Sequence, residues 1–134
     1  MQRRGMTLVE MMIVIVIAGF LFVIALPRLG KVRDSVQMDS AAQQLLGDLR
    51  RLQVEAIKRN QSARLQRTGA ATYNMDFVGA RTLDGGVTFD VGSATEIRMA
   101  SFGPPIGGGA TFILESGTRQ RTVTVSPAGL VSVQ

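Results

Sequence analysis

Glu10 is the one charged residue in the 21-residue run Met6 to Leu26, MTLVEMMIVIVIAGFLFVIAL. A carboxylate in such surroundings costs roughly 2.5–3.5 kcal/mol at mid-membrane depth and less near an end, so it needs a local or intermolecular reason to be there. The other residues able to do chemistry are few. Asp34, Asp39, Asp48 and Glu55 fall along one amphipathic stretch, without the clustering that a metal requires and with no nucleophile set beside a base. They read as a solvated helix face. Arg119 and Arg121, in SGTRQRTV, stand two apart, which on a strand places both guanidinium groups on one side as a small phosphate clamp; the plainer reading is two solubilising surface arginines. With no cysteine and no histidine, a disulfide framework, a thiol nucleophile, an imidazole or thiolate metal site and a Ser-His-Asp triad are excluded by residue type. No cofactor and no catalytic activity are expected.

The elements that carry these residues follow from hydropathy and spacing. At about 1.5 Å per residue, Met6 to Leu26 makes a helix of roughly 30 Å, the thickness of a hydrocarbon core. A cleaved secretory signal is the plain alternative, but the run exceeds the usual apolar length and no A-x-A site follows. A twin-arginine signal suits Arg3 and Arg4 but not so hydrophobic a segment, and an unrelated anchor accounts for the length but not for Glu10. Pro27 should kink the helix at the boundary without ending it. Beyond it Val32, Val36, Leu45, Leu49, Leu52 and Ala56 recur at mostly three- and four-residue spacings, the mark of an amphipathic helix that continues to about Arg59, with Asn60 as its cap.

The remainder reads as strands, at Ala63 to Gln66, Tyr73 to Val78, Gly86 to Val91, Ile97 to Phe102, Thr111 to Glu115, Thr122 to Ser126 and Leu130 to Val133. The short connections favour antiparallel pairing. TVTVSPAGLVSV is the clearest hairpin, turning at Ser126-Pro127-Ala128-Gly129. GPPIGGGA, Gly103 to Ala110, lacks the lysine and following helix of a P-loop and reads as a loose, mobile loop. The fold class is therefore α+β: a long N-terminal helix, half membrane-spanning and half amphipathic, on an antiparallel head of about seven short strands. The formal charge of +5, or +3 without Arg3 and Arg4, permits an anionic partner but is far from the basic stripe of a dedicated nucleic-acid binder.

Gly5-Met6-Thr7-Leu8-Val9-Glu10, behind a short basic leader and before an unbroken apolar helix closed by Pro27, resembles the class III signal of the type IV pilin superfamily. The resemblance implies that a prepilin peptidase cuts between Gly5 and Met6 and methylates the new amine of Met6. It divides the chain into a leader at 1–5, a transmembrane helix at 6–27, its amphipathic continuation at 28–60 and a β-rich periplasmic head at 61–134. It also implies a reason for Glu10: in a filament, its carboxylate can pair with the Met6 amine of a neighbouring subunit and set register between otherwise slippery helices. Within the superfamily, AAQQLLGDLRRLQVEAIKRNQSARLQ, DGGVTFD and RTVTVSPAGLVSVQ resemble the GspH/FimT group of minor pseudopilins and minor pilins. The partners implied are the prepilin peptidase, other pilins or pseudopilins, an inner-membrane assembly platform and, before assembly, membrane lipid. The place implied is the bacterial inner membrane with the head outside; basic residues on both sides, Arg3 and Arg4 against Arg28, Lys31 and Arg33, leave orientation nearly undecided by charge alone. The filament would serve type II secretion or a type IV pilus of similar design. A DNA-binding pilus tip is the alternative, with Arg119 and Arg121 as its contacts; Thr118, inserted after Gly117, departs from the Gly-Arg-x-Arg element of DNA-binding relatives. Lys58, Arg59, Arg64 and Arg67 form the next basic group.

Overall fold

Thr7 starts the long helix. Its hydroxyl accepts the Glu10 N–H at 3.3 Å and its carbonyl accepts the Met11 N–H at 3.2 Å, so it occupies the cap position and Glu10 the third helical position. The computed structural model describes residues 7–134, with side chains for all but residues 24–32. Gly5, Met6 and the kink expected at Pro27 fall outside that set. Helix α1 spans Leu8–Arg59, as its apolar spacing predicts. It ends in a Schellman motif: Asn60, at φ 51°, donates to the Ile57 carbonyl at 3.1 Å, and Gln61 donates to the Ala56 carbonyl at 3.1 Å.

The chain divides between Arg33 and Asp34 into two compact units. In the first, the described side chains from Leu8 to Val23 are all exposed. Among the described residues no helix is long and apolar enough to cross a membrane, the rest of the expected 6–27 span lying outside them.

In the second unit α1 carries a fully covered stripe, Met38, Ala41, Ala42, Leu45, Leu49, Leu52 and Ala56. Val36, expected on that stripe, is 61% exposed; the covered face begins one half-turn later, at Met38. Eight short strands form two antiparallel sheets, one more strand than the pattern of the sequence suggests. The first sheet has the order β3-β2-β1-β5, built from β1 (Ala63–Arg67), β2 (Thr72–Met75), β3 (Gly79–Thr82) and β5 (Glu96–Met99). The second runs β4-β6-β7-β8, from β4 (Thr88–Phe89), β6 (Ala110–Ser116), β7 (Arg119–Val125) and β8 (Val131–Val133). Alternation sends Leu65, Tyr73, Met75, Ile97, Met99, Phe112, Leu114, Val123 and Val125 into one core with the helix stripe. Phe89 joins the sheets, with ring centroids 5.9 Å from Tyr73 and 6.2 Å from Phe112. Each fully buried leucine contributes roughly 1.5–3 kcal/mol, and this core needs nothing from the first unit.

Several expectations are corrected. The strand expected over Gly86 to Val91 shrinks to Thr88–Phe89, because Asp84–Gly86 forms a 3-10 turn. The strand expected over Tyr73 to Val78 stops at Met75, and after a turn with Phe77 at φ 69° the chain returns as the unanticipated β3. The glycine-rich segment is not loose at its start: Ala100 N–H donates to the Pro104 carbonyl at 2.9 Å and Ile106 N–H to the Arg98 carbonyl at 2.7 Å. Gln53 Nε2, on α1, donates to the Gly103 carbonyl at 3.0 Å. The expected Ser126–Gly129 turn is present, closed by Gly129 N–H on the Ser126 carbonyl at 2.9 Å.

Candidate functional site

In the first unit the functional arrangement is a solvent-facing apolar helix with one acid in its first turn. Thr7-Leu8-Val9-Glu10 has the composition of a capping box, in which a carboxylate at the third position favours the positive end of the helix dipole. This gives Glu10 a local role that sequence spacing also carries. It leaves the side chain exposed and available to an outside cation.

In the second unit Arg119 and Arg121 share the strand face of Val123 and Val125, past the end of the core. That places both beside the start of the covered helix, where they line an open recess of about 200 Å³ with Ser35, Met38 and Asp39. The two arginines are not equivalent. Arg121 Nε donates to Asp39 Oδ1 at 3.0 Å, with both side chains about half exposed, whereas the Arg119 guanidinium has no ion-pair partner among the described residues. The clamp is therefore brought together but partly neutralised by Asp39.

The basic group at the helix end is split by its own partners. Arg59 donates to Glu55 Oε2 at 3.1 Å and lies over the Phe77 ring at 4.6 Å. That hydrogen bond holds the Glu55 carboxyl below its ordinary value. Arg64 approaches Glu96 at 4.0 Å, and Arg67 donates to the Asp90 carbonyl at 2.9 Å. Three of the four basic residues are thus engaged by partners within the head.

Asp48 corrects the reading of four acids on a solvated face. It is 6% exposed, accepts the Tyr73 hydroxyl on Oδ2 at 2.6 Å and meets Arg81 Nη2 on Oδ1 at 3.4 Å. Burial, then the hydrogen bond to Asp48 and its charge, push the Tyr73 phenol above its ordinary value. Arg81 Nε is buried without a hydrogen-bond partner among the described residues. The signal was in the spacing: Asp48 stands three residues after Leu45 and four before Leu52, on the stripe itself.

Residues 1–26 match the family described as the prokaryotic N-terminal methylation motif. Over 153 aligned positions, covering 96% of this chain and 97% of its relative, the sequence is 31% identical to the pilin-like protein PilA1 of Thermus thermophilus. The chain belongs to the type IV pilin superfamily. Its fold is that of the type IV minor pilin FimU of Pseudomonas aeruginosa in two crystal forms. One gives a TM-score of 0.65 at 13% identity over 75% of this chain and 90% of that one; the other gives 0.61 at 14% over 72% and 91%. The α+β expectation, a long helix with an antiparallel head, is the pilin fold.

Proposed function

We propose that this pilin-superfamily chain is a minor subunit that initiates or caps a type IV pilus-like filament, with a type II secretion pseudopilus as the alternative machine. In this reading a prepilin peptidase removes residues 1–5 and methylates Met6, and residues 6–27 hold the chain in the inner membrane with the head in the periplasm. An inner-membrane platform then moves it into a filament of other pilins. Membership of the GspH/FimT group belongs to the same reading, supported by the head segments that resemble it.

The observation that carries the proposal is the contrast within α1: its N-terminal apolar side chains are uncovered, while the head closes its own core. Such a surface needs lipid or the helices of other subunits. Glu10 then supplies register by pairing with the amine of a neighbour. Full-length protein from membranes should begin at methylated Met6 by intact-mass and peptide analysis. Glu10→Ala should leave membrane insertion and the head's circular-dichroism melt unchanged, yet reduce its share in sheared filaments about tenfold or more, the equivalent of roughly 1.4 kcal/mol in a partition. Equal incorporation of mutant and wild type would refute the assembly role.

A second reading, DNA capture at the filament tip, is favoured by one observation: Arg119 and Arg121 line a common recess. Contact would be with phosphates, weakly sequence-selective and steeply salt-dependent.

A further inference from the structure

The register of the first sheet sets Arg64 directly opposite Arg98. Both lie on the outward face, since their neighbours Ala63, Leu65, Ile97 and Met99 are buried. Opposed residues on an antiparallel pair have Cβ atoms about 5 Å apart, and like charges there destabilise the pair. Glu96 compensates only loosely, at 4.0 Å from Arg64. The Arg98 guanidinium has no ion-pair partner among the described residues, and Arg98 lines an open recess of about 280 Å³ together with Glu96, Ile106 and Gly107 to Gly109.

That recess is a fork between the two sheets. At one end Ala94 N–H is bonded to the Thr111 carbonyl at 2.9 Å; at the other Ile106 N–H is bonded to the Arg98 carbonyl at 2.7 Å. Between them the wall facing Arg98 is bare backbone. Gly107 and Gly108 adopt φ 87° and 107°, conformations that L side chains rarely take, and a Cβ at either would meet nothing within 4 Å. Nothing in the fold fills that space, so Gly107 and Gly108 answer to backbone geometry alone and leave the space beside their main chain open, whereas Gly109 is glycine because a Cβ there would meet the Val125 carbonyl oxygen. Consecutive amides in turn conformations and a guanidinium are the donors that tetrahedral oxyanions use.

We propose that the fork between β5 and the Gly107–Gly109 segment is a binding site for a phosphate group, free or carried on a lipid headgroup, with Arg98 as the principal cation and Arg64 as its support. Ile106, 53% exposed at the rim, offers apolar contact to the organic part of a phosphate ester. The site lies on other elements than the Arg119 recess and does not depend on the filament reading.

The test uses the full chain in non-ionic detergent, titrated with inorganic phosphate at constant ionic strength. Amide shifts at Gly107 to Gly109 should saturate with a Kd on the order of 1–10 mM, as expected of a small ligand held by one guanidinium and backbone donors. At tenfold excess over Kd, phosphate should raise the melting temperature by about 5 °C. Arg98→Gln should weaken binding about tenfold and cut that rise to about 1.5 °C at the same phosphate concentration, while leaving the ligand-free melt equal to or above wild type, because it removes a like-charge opposition. Arg64→Gln should weaken binding about threefold. Transfer to phosphate-free nanodiscs containing phosphatidylglycerol separates the sources: the same shifts there identify a headgroup, and shifts seen only with inorganic phosphate identify a soluble ligand. No saturable shift below about 50 mM phosphate, wild-type affinity in Arg98→Gln, or shifts confined to the Arg119 recess would each overturn the proposal.

Discussion

One helix presents two apolar surfaces with opposite fates. From Leu8 to Val23 the large apolar side chains are 47–77% exposed, whereas Leu45, Leu49 and Leu52 are each 0% exposed. Composition alone would rank the exposed half as the better core. The difference is the partner: residues 38–56 face two sheets encoded in the same chain, and residues 8–23 face none. The acids repeat the contrast. Asp48 finds a tyrosine and an arginine inside its own head; Glu10 has its cap at Thr7 and leaves its carboxylate outward. Apolar surface and charge that one unit resolves internally, the other must resolve with something else.

The sharpest way to break this comparison is to shorten one side chain in each half. Leu49→Ala should cost about 2–5 kcal/mol of head stability through lost burial and a residual cavity, read as a drop in the urea midpoint. Phe20→Ala, at a side chain 70% exposed, should leave that midpoint within about 0.5 kcal/mol while lowering incorporation into filaments. A head destabilised as much by Phe20→Ala as by Leu49→Ala would mean that the two units do not stabilise themselves separately.

Removing Asp48 should have the next largest effect. Asp48→Ala strands the buried Tyr73 hydroxyl and part of Arg81, and is expected to cost about 2–3 kcal/mol. The same pair gives a pH signature. Because the folded-state Tyr73 pKa is raised above its unfolded value, the stabilisation is fully present below about pH 10 and is lost above it, by roughly 1.4 kcal/mol per pH unit. Tyr73 is the only tyrosine, so phenolate absorbance should appear together with loss of the circular-dichroism signal. Ionisation at the pH of free tyrosine, ahead of unfolding, would contradict the pairing.

Residue types made the outline of this head legible and left its close contacts hidden. The stripe of Leu45, Leu49 and Leu52, the Asn60 cap and the Ser126–Gly129 hairpin follow from short-range rules of period and turn chemistry. β3 does not, since Gly79-Ala80-Arg81-Thr82 has no apolar alternation and exists because its backbone pairs with β2 after the turn at Phe77. The opposition of Arg64 and Arg98 is a property of register between segments thirty-four positions apart. Asp48 lay between: its place on the stripe was visible, its partners Tyr73 and Arg81 were not.

The smallest expected effect sharpens the comparison at the Arg119 recess, where one arginine is answered within the head and its neighbour is not. Asp39 and Arg121 are both about half exposed, so their pair is worth only about 0.2–1 kcal/mol, and Asp39→Asn should shift the head's melt by no more than that. Its electrostatic consequence is larger than its structural one. Neutralising Asp39 releases the Arg121 guanidinium beside Arg119 and adds one positive charge to the recess. A phosphate about 4 Å away gains on the order of 1 kcal/mol from a unit charge even in bulk-water dielectric, or about fivefold in affinity. If the recess holds DNA, Asp39→Asn should therefore tighten a low-salt gel shift by about that factor and steepen its salt dependence by about one unit. Changing Arg119 and Arg121 together to Ala should abolish most of the shift with little change in the melt. Tightening by Asp39→Asn with no loss on removing the arginines would place the contact elsewhere. An unchanged gel shift in Asp39→Asn would leave the pair as a link between α1 and β7 and the recess without a role in binding.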